Sequence, residues 1–311
     1  MKIAVLVNSF PALSETFILN QITGLLEMGH EVSVFSRLRP AGQKFHRDIL
    51  DYELEGRTHY LAEIPRNKTI RRLKTLVQII LNFPRGPVKI MRALRILLNR
   101  EEGFPYPLLY FVFLFLGREF DVVHCHFGPL GIVGVLLKQT GFDVKFVTTF
   151  HGFDANCYPR KTGLDVYNEL FKEGDLFTAN TNFTKGQIVK LGCCPNKVRI
   201  LPVGLKIEKF PFSPRQYPKD GPVRILTVAR LVEKKGYEYS IRAVGQLVKS
   251  GRRVLYTIAG DGPLESELKK LVCELGIEKH VEFLGALVQE EIIELYSSCL
   301  LYTSPSPRDR S

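Results

Sequence analysis

The chain has 311 residues, 45% of them hydrophobic and 24% charged, a balance that excludes an intrinsically disordered chain and a disulfide-stapled miniature fold. At roughly 100–200 residues per domain, this length implies two domains, or one and most of a second. The formal net charge is +11, and the stretch from Arg66 to Arg100, with ten basic residues and no acid, accounts for all but one of it.

In chain order, Ile3 to Val7 reads as a buried strand, too short and too soon polar to be an export signal. A helix follows over 14–28 and closes at Gly29, and an alternating strand covers 30–36. The basic stretch predicts two short amphipathic helices, with Ile70, Leu73, Leu76, Val77, Ile80 and Leu81 at helical spacing before the Pro84-Arg85-Gly86-Pro87 break and Ile90, Leu94, Leu97 and Leu98 after it. Such helices suit either an anionic membrane face or the solvated side of a domain. No nucleic-acid-binding motif accompanies them. The apolar run 108–116 is nine residues, against about 20 for a membrane span.

From 121 onward, strands alternate with helices: strands over 121–127, 145–150, 176–179 and 198–202, then, after a proline-rich linker at 206–222, strands over 223–229, 254–259 and 281–284. This β-α-β repetition predicts parallel sheets covered on both faces. Three strands are few for a second doubly wound domain, which reads as incomplete. The residues from Cys299 to Ser311 resemble translated adaptor sequence and are set aside as a non-native tail. Six cysteines, without a C-x-x-C pair or zinc-finger spacing, read as reduced thiols, and a cytoplasmic address is expected.

Four strand-to-helix turns combine glycine, charge and a strand end, where open parallel sheets bind ligands. In the first, Ser14 or Glu15 can cap the helix and leave backbone N–H groups free. In the second, Thr149-Phe150-His151-Gly152-Phe153-Asp154, His151 can bond a hydroxyl or phosphate and Asp154 can accept from hydroxyls, or His151 is structural. His124 and His126, two apart on a strand, point to one face and read as core or cleft residues more readily than as half a metal site. In the third turn, Arg230 offers a fork matched to phosphate oxygens and Lys235 a mobile charge ahead of a helix N-terminus. The fourth holds Gly260, Asp261 and Gly262 before Pro263.

The ordered set F-P-A-L-S-E-T-F, H-C-H-F-G, T-F-H-G-F-D, R-L-V-E-K-K-G, A-G-D-G-P-L and V-E-F-L-G resembles the retaining glycosyltransferases of family 4, over residues 1 to about 298. The stretch 14–22 is most similar to the colanic-acid and exopolysaccharide branch. The resemblance implies an α/β chain of GT-B architecture, two Rossmann-like domains with parallel sheets facing a cleft: an acceptor-side domain over 1–205 and an incomplete nucleotide-sugar domain over 223–298. It implies that Arg230 and Lys235 hold the donor diphosphate in place of a metal, with no cofactor, and that His151 lies beside the transferred sugar. Gly260, Asp261 and Gly262 would shape the donor pocket, with Leu284 and Gly285 near the base. The family's glycine-rich first loop is replaced here by Pro11-Ala12-Leu13-Ser14, and its paired glutamates would fall beyond Ser298, so this chain is expected to be an inactive or barely active fragment. The expected reaction moves a hexose from a nucleoside diphosphate to a lipid-linked polysaccharide acceptor, with retention, at the inner face of the cytoplasmic membrane. A nucleotide-sugar 2-epimerase of the same architecture and a non-catalytic membrane-binding module are the alternatives.

Overall fold

The computed structural model describes residues 1–40, 44–98, 106–211, 214, 216–218 and 220–302. Its contacts divide the chain into two units: Met1–Ala12, Thr16–Ala41 and Arg47–Leu205 form the first, and Leu13–Glu15, Gly42–His46 and Lys206–Ser311 the second.

The first unit runs β1 (Lys2–Ser9), α1 (Thr16–Glu27), β2 (Glu31–Leu38), α2 (Asp48–Asp51), β3 (Thr58–Tyr60), α3 (Lys68–Asn82), α4 (Pro87–Leu98), α5 (Tyr106–Phe115), β4 (Val122–His126), α6 (Gly128–Gln139), β5 (Lys145–Phe150), α7 (Phe153–Thr162), α8 (Asn168–Glu173), β6 (Leu176–Ala179), α9 (Asn182–Lys190) and β7 (Val198–Ile200). Its seven strands pair in parallel in the order β3-β2-β1-β4-β5-β6-β7. Because side chains alternate across a strand, Ile3, Val5 and Val7 pack with Ile18, Leu19 and Ile22 of α1, while Ala4 and Leu6 pack on the other side with residues of α4, α5 and α6.

The apolar run noted at 108–116 lies in α5, with Leu116 just past its end. It is apolar around its circumference and accordingly buried, with Leu109, Phe111 and Val112 at 0% exposure. Among the described residues, no helix is long and apolar enough to cross a membrane. Three short elements, α2, β3 and α8, had no periodic signature to announce them.

The two expected basic helices are present and differ in orientation. On α4, Ile90, Ala93 and Leu97 turn inward. On α3 the buried residues are polar, Thr75 and Asn82, whereas Ile70, Leu73, Leu76, Ile80 and Leu81 are 53–64% exposed. The Thr75 hydroxyl lies 3.3 Å from the Tyr110 hydroxyl of α5, and Asn82 Nδ2 donates to the Gln78 carbonyl, so the polar stripe has partners inside. Asn67 caps α3 by accepting from the Thr69 and Ile70 N–H groups.

The second unit holds β8 (Val223–Val228), α10 (Tyr237–Lys249), β9 (Val254–Ala259), α11 (Glu265–Glu274), β10 (Val281–Gly285), α12 (Gln289–Ser298) and β11 (Leu301–Tyr302), with parallel strands in the order β10-β9-β8-β11. The sequence reading stopped this sheet at three strands and set aside everything from Cys299. Within the described residues the fourth strand comes from that excluded stretch: Cys299 is 3% exposed, and Leu301 and Tyr302 register with Ile225 and Leu226. The rest of the expected tail, 303–311, lies outside the described residues.

Phe35 is fully buried where β2 meets α5, its ring 4.4 Å from that of Phe115 and 5.5 Å from that of Phe120. Replacing it with alanine should lower the stability of the first unit by about 3–5 kcal/mol, read as a shift in the denaturant midpoint followed by circular dichroism.

Candidate functional site

Each unit gathers its chemistry at the carboxyl ends of its parallel strands, and the two are described separately.

In the first unit, β4 presents Val123 and Cys125 to one face and His124 and His126 to the other. The histidine face carries a polar seam across the sheet. Gln21 Nε2 on α1 donates to His124 Nδ1 at 3.3 Å, so His124 carries its proton on Nε2 and donates to Thr149 Oγ1 at 2.6 Å, and the Thr149 hydroxyl meets Thr178 Oγ1 at 2.6 Å. Burial depresses His124 to a pKa of about 4. Burial, with His124 and His151 beside it, holds His126 well below the ordinary imidazole value, so both rings are neutral near pH 7.

His126 Nδ1 lies 3.1 Å from His151 Nε2, and the rings stack at 5.3 Å. His126 Nε2 is buried with no hydrogen-bond partner. A buried bare lone pair costs less than a buried N–H without an acceptor, so His126 keeps its proton on Nδ1 and donates to His151. The ring of His151 also rests against Phe17 and Phe127, each at 4.6 Å. His151 is thus fixed on three sides just past β5. Phe127, which caps α6, is held at φ 73° and ψ 140°, a backbone conformation strained for any residue but glycine.

Asp154 differs from its expected role. It is 1% exposed, its Oδ1 accepts from the N–H groups of His151 and Gly152, and its Oδ2 accepts from Gly128 N, each at 2.9 Å. Burial pushes its pKa up while these N–H groups pull it back. Its oxygens are spent on the backbone, so it positions the His151 loop and the start of α6 rather than receiving a hydroxyl from a substrate. Among the described residues, no group of three or more His, Cys, Asp or Glu side chains is arranged to hold a metal ion.

In the second unit, Arg230 is exposed at the end of β8 and Lys235 half-buried just before α10. The main chain around Arg230 is tied to the next turn: Ala229 N donates to the Ala259 carbonyl at 3.1 Å, Leu231 N to the Asp261 carbonyl at 2.7 Å and Leu264 N to the Leu231 carbonyl at 3.2 Å. Tyr237, at the head of α10, donates its hydroxyl to the Ala229 carbonyl at 2.6 Å. These turns touch backbone to backbone. A Cβ on Gly260 would lie 2.0 Å from the Ala229 carbonyl oxygen, and one on Gly262 would lie 2.5 Å from that of Leu231. Gly260 N reaches the Gly285 carbonyl at 2.7 Å, which ties β10 and the Leu284-Gly285 turn into the same set. The two glycines therefore serve to bring main chains together, and Asp261 stays exposed between them.

Ser14 and Glu15, expected at the head of α1, group with the second unit, α1 itself starting at Thr16. Ser14 is exposed. Glu15 Oε2 is buried without a hydrogen-bond partner, and burial raises the pKa of this carboxyl while the Arg230 guanidinium lowers it. The sequence reading did not single out Phe17, Gln21, Phe127, Thr178 or Tyr237. The alternation His124-Cys125-His126 marked the buried seam, but nothing local identified its partners on other elements.

Two predictions follow from this geometry. The native state keeps His124 and His126 neutral while the unfolded chain protonates them below about pH 6.5, so stability falls as pH drops from there toward 4, by up to roughly 1.4 kcal/mol per pH unit for His124, with His126 adding in the same direction. In urea melts across that range, His124→Gln should flatten the slope by about one proton. Gly260→Ala should destabilise the second unit by about 2 kcal/mol or more, because backbone and not a flexible side chain blocks the new methyl group; a lowered melting temperature measures it.

Residues 14–209 match the family described as Glycosyltransferase Family 4, and residues 209–309 match Glycosyl transferases group 1. Over 98% of its length and 75% of the relative's, the chain is 30% identical to a putative colanic acid biosynthesis glycosyltransferase, WcaL, of Escherichia coli. It is 29% identical, with the same coverage, to the amylovoran biosynthesis glycosyltransferase AmsK of Erwinia amylovora. Among solved structures, Anabaena HepE in complex with UDP-glucose superposes with a TM-score of 0.68 at 18% identity, over 98% of this chain and 74% of HepE. Sucrose-phosphate synthase of Thermosynechococcus elongatus superposes with a TM-score of 0.64, likewise at 18% identity, over 98% of this chain and 75% of the synthase.

Proposed function

Because the chain belongs to the family 4 glycosyltransferases and has their GT-B architecture, we propose that it transfers a hexose from a nucleoside diphosphate to a lipid-linked acceptor in exopolysaccharide synthesis, with retention of anomeric configuration. The colanic acid and amylovoran relatives support the exopolysaccharide assignment. A 2-epimerase is not favoured, since these relatives are named as transferases.

The second unit takes the donor diphosphate in this reading. Arg230 supplies two parallel N–H donors to phosphate oxygens and Lys235 a second positive charge, with the N-terminus of α10 adding its dipole. As the bond from sugar to diphosphate breaks, negative charge grows on the leaving phosphate, and a guanidinium already in place stabilises it without reorganisation. The turn at Leu284-Gly285 would lie along the base. In the first unit, the Asp154 carboxylate and the His126 imidazole hold His151 in one orientation, ready to bond a sugar hydroxyl.

The observation that carries the phosphate assignment is the exposed Arg230 on a turn whose flanking residues are pinned by the backbone of the next loop and by Tyr237. Calorimetry with UDP, GDP and ADP, free and as sugar conjugates, should find one nucleoside diphosphate that binds. Arg230→Ala should weaken that binding roughly ten- to a hundredfold, the worth of a charged hydrogen-bonded contact, with the melting temperature unchanged. Equal affinity in wild type and variant would reject the assignment.

A further inference from the structure

We infer that the outward face of α3 is a docking surface for an anionic lipid bilayer. This assigns the protein a place rather than a step, and it stands independently of the donor assignment.

A soluble helix normally turns its apolar stripe inward, but α3 buries Thr75 and Asn82, packs only Ile79 of its apolar residues against the core and leaves the rest outside. At 100° per residue, Ile70, Leu73, Leu76, Val77, Ile80 and Leu81 occupy about 140° of the circumference. They form one continuous outward sector, not scattered single exposures, and a sector of this kind marks an interaction surface. Lys74 borders the sector on one side and Arg72 on the other, so the apolar centre is flanked by positive charge on both edges. That is the cross-section of a helix lying in the plane of a membrane interface, its apolar side chains among the acyl chains and its basic side chains among the headgroups.

Charge selects the occupant. The segment from Arg66 to Arg100 carries ten basic residues and no acid, and Lys68, Arg72, Arg92 and Arg95 are exposed in it. A second copy of this chain would bring an equally basic segment against the first, which opposes pairing. An anionic bilayer supplies both an apolar interior for the sector and negative charge for its borders. With 15 residues, α3 is too short to span, so it lies on the surface.

The chain has no tryptophan, so a single introduced one reports its own surroundings. Leu73→Trp, at a position 63% exposed, should shift its emission to the blue when phosphatidylcholine vesicles containing phosphatidylglycerol are added, and not with phosphatidylcholine alone. Leu164→Trp, at a position 66% exposed in the same unit, should show no shift. Co-sedimentation of the wild-type chain with the anionic vesicles should weaken as salt is raised, and should fall at least about tenfold in the double variant Leu73→Ser, Ile80→Ser, with its melting temperature unchanged. No blue shift at position 73, or equal shifts with neutral and anionic vesicles, would overturn the inference. So would self-association of the wild type, seen by analytical ultracentrifugation and abolished by the double variant, since the face would then be covered by a second copy.

Discussion

No side chain fits between Gly260 and the Ala229 carbonyl, and the turn that carries Arg230 is built on that contact. Two strand-end turns run so close that their main chains bond directly, which removes most of the freedom a charged turn would otherwise have. Arg230 is consequently a mobile side chain on an immobile base. A guanidinium presented this way has lost its backbone entropy during folding and gives up only side-chain freedom on binding a ligand, the condition under which a charged contact contributes most.

The first unit reaches the same end by polar burial. His124, Thr149 and Thr178 form a bonded row beneath the strand ends, His126 stacks on His124 and bonds His151, and Asp154 holds the loop that bears it. Desolvation keeps the two buried imidazoles neutral, so each offers one donor and one acceptor, and that fixes the direction of each bond. Partly satisfied networks of this kind are costly inside a protein. Within this network, His126 Nε2 is a buried atom without a partner among the described residues.

Period and punctuation made most of the architecture readable in advance. Strands with near-continuous apolar runs, such as Ile3 to Val7 and Val254 to Ala259, and helices closed by glycine, such as α1, announced themselves because their signals are local. What stayed hidden depended on the fold. Asp154 carries a side chain suited to a sugar hydroxyl, and only the approach of Gly128 across the sheet shows that its oxygens are occupied. The period of α3 marked a helix but not which side would face inward, because the deciding partner, Tyr110, lies in another helix. Gly260 and Gly262 marked a turn, but nothing local showed that a neighbouring main chain stands where each Cβ would be. Leu301 and Tyr302, set aside for their likeness to adaptor sequence, form the edge strand beside β8.

Phe127 answers two demands that no single residue type meets well. Its backbone sits where glycine is at ease, which would cost about 1–3 kcal/mol in any residue carrying a Cβ, yet its ring is one of the two aromatic walls that steady His151. A glycine there would relieve the main chain and leave the imidazole free to swing. The position is one where a sturdier main chain and a steadier histidine are rival outcomes, so variants selected for heat resistance alone would tend to discard this phenylalanine at the expense of a fixed imidazole.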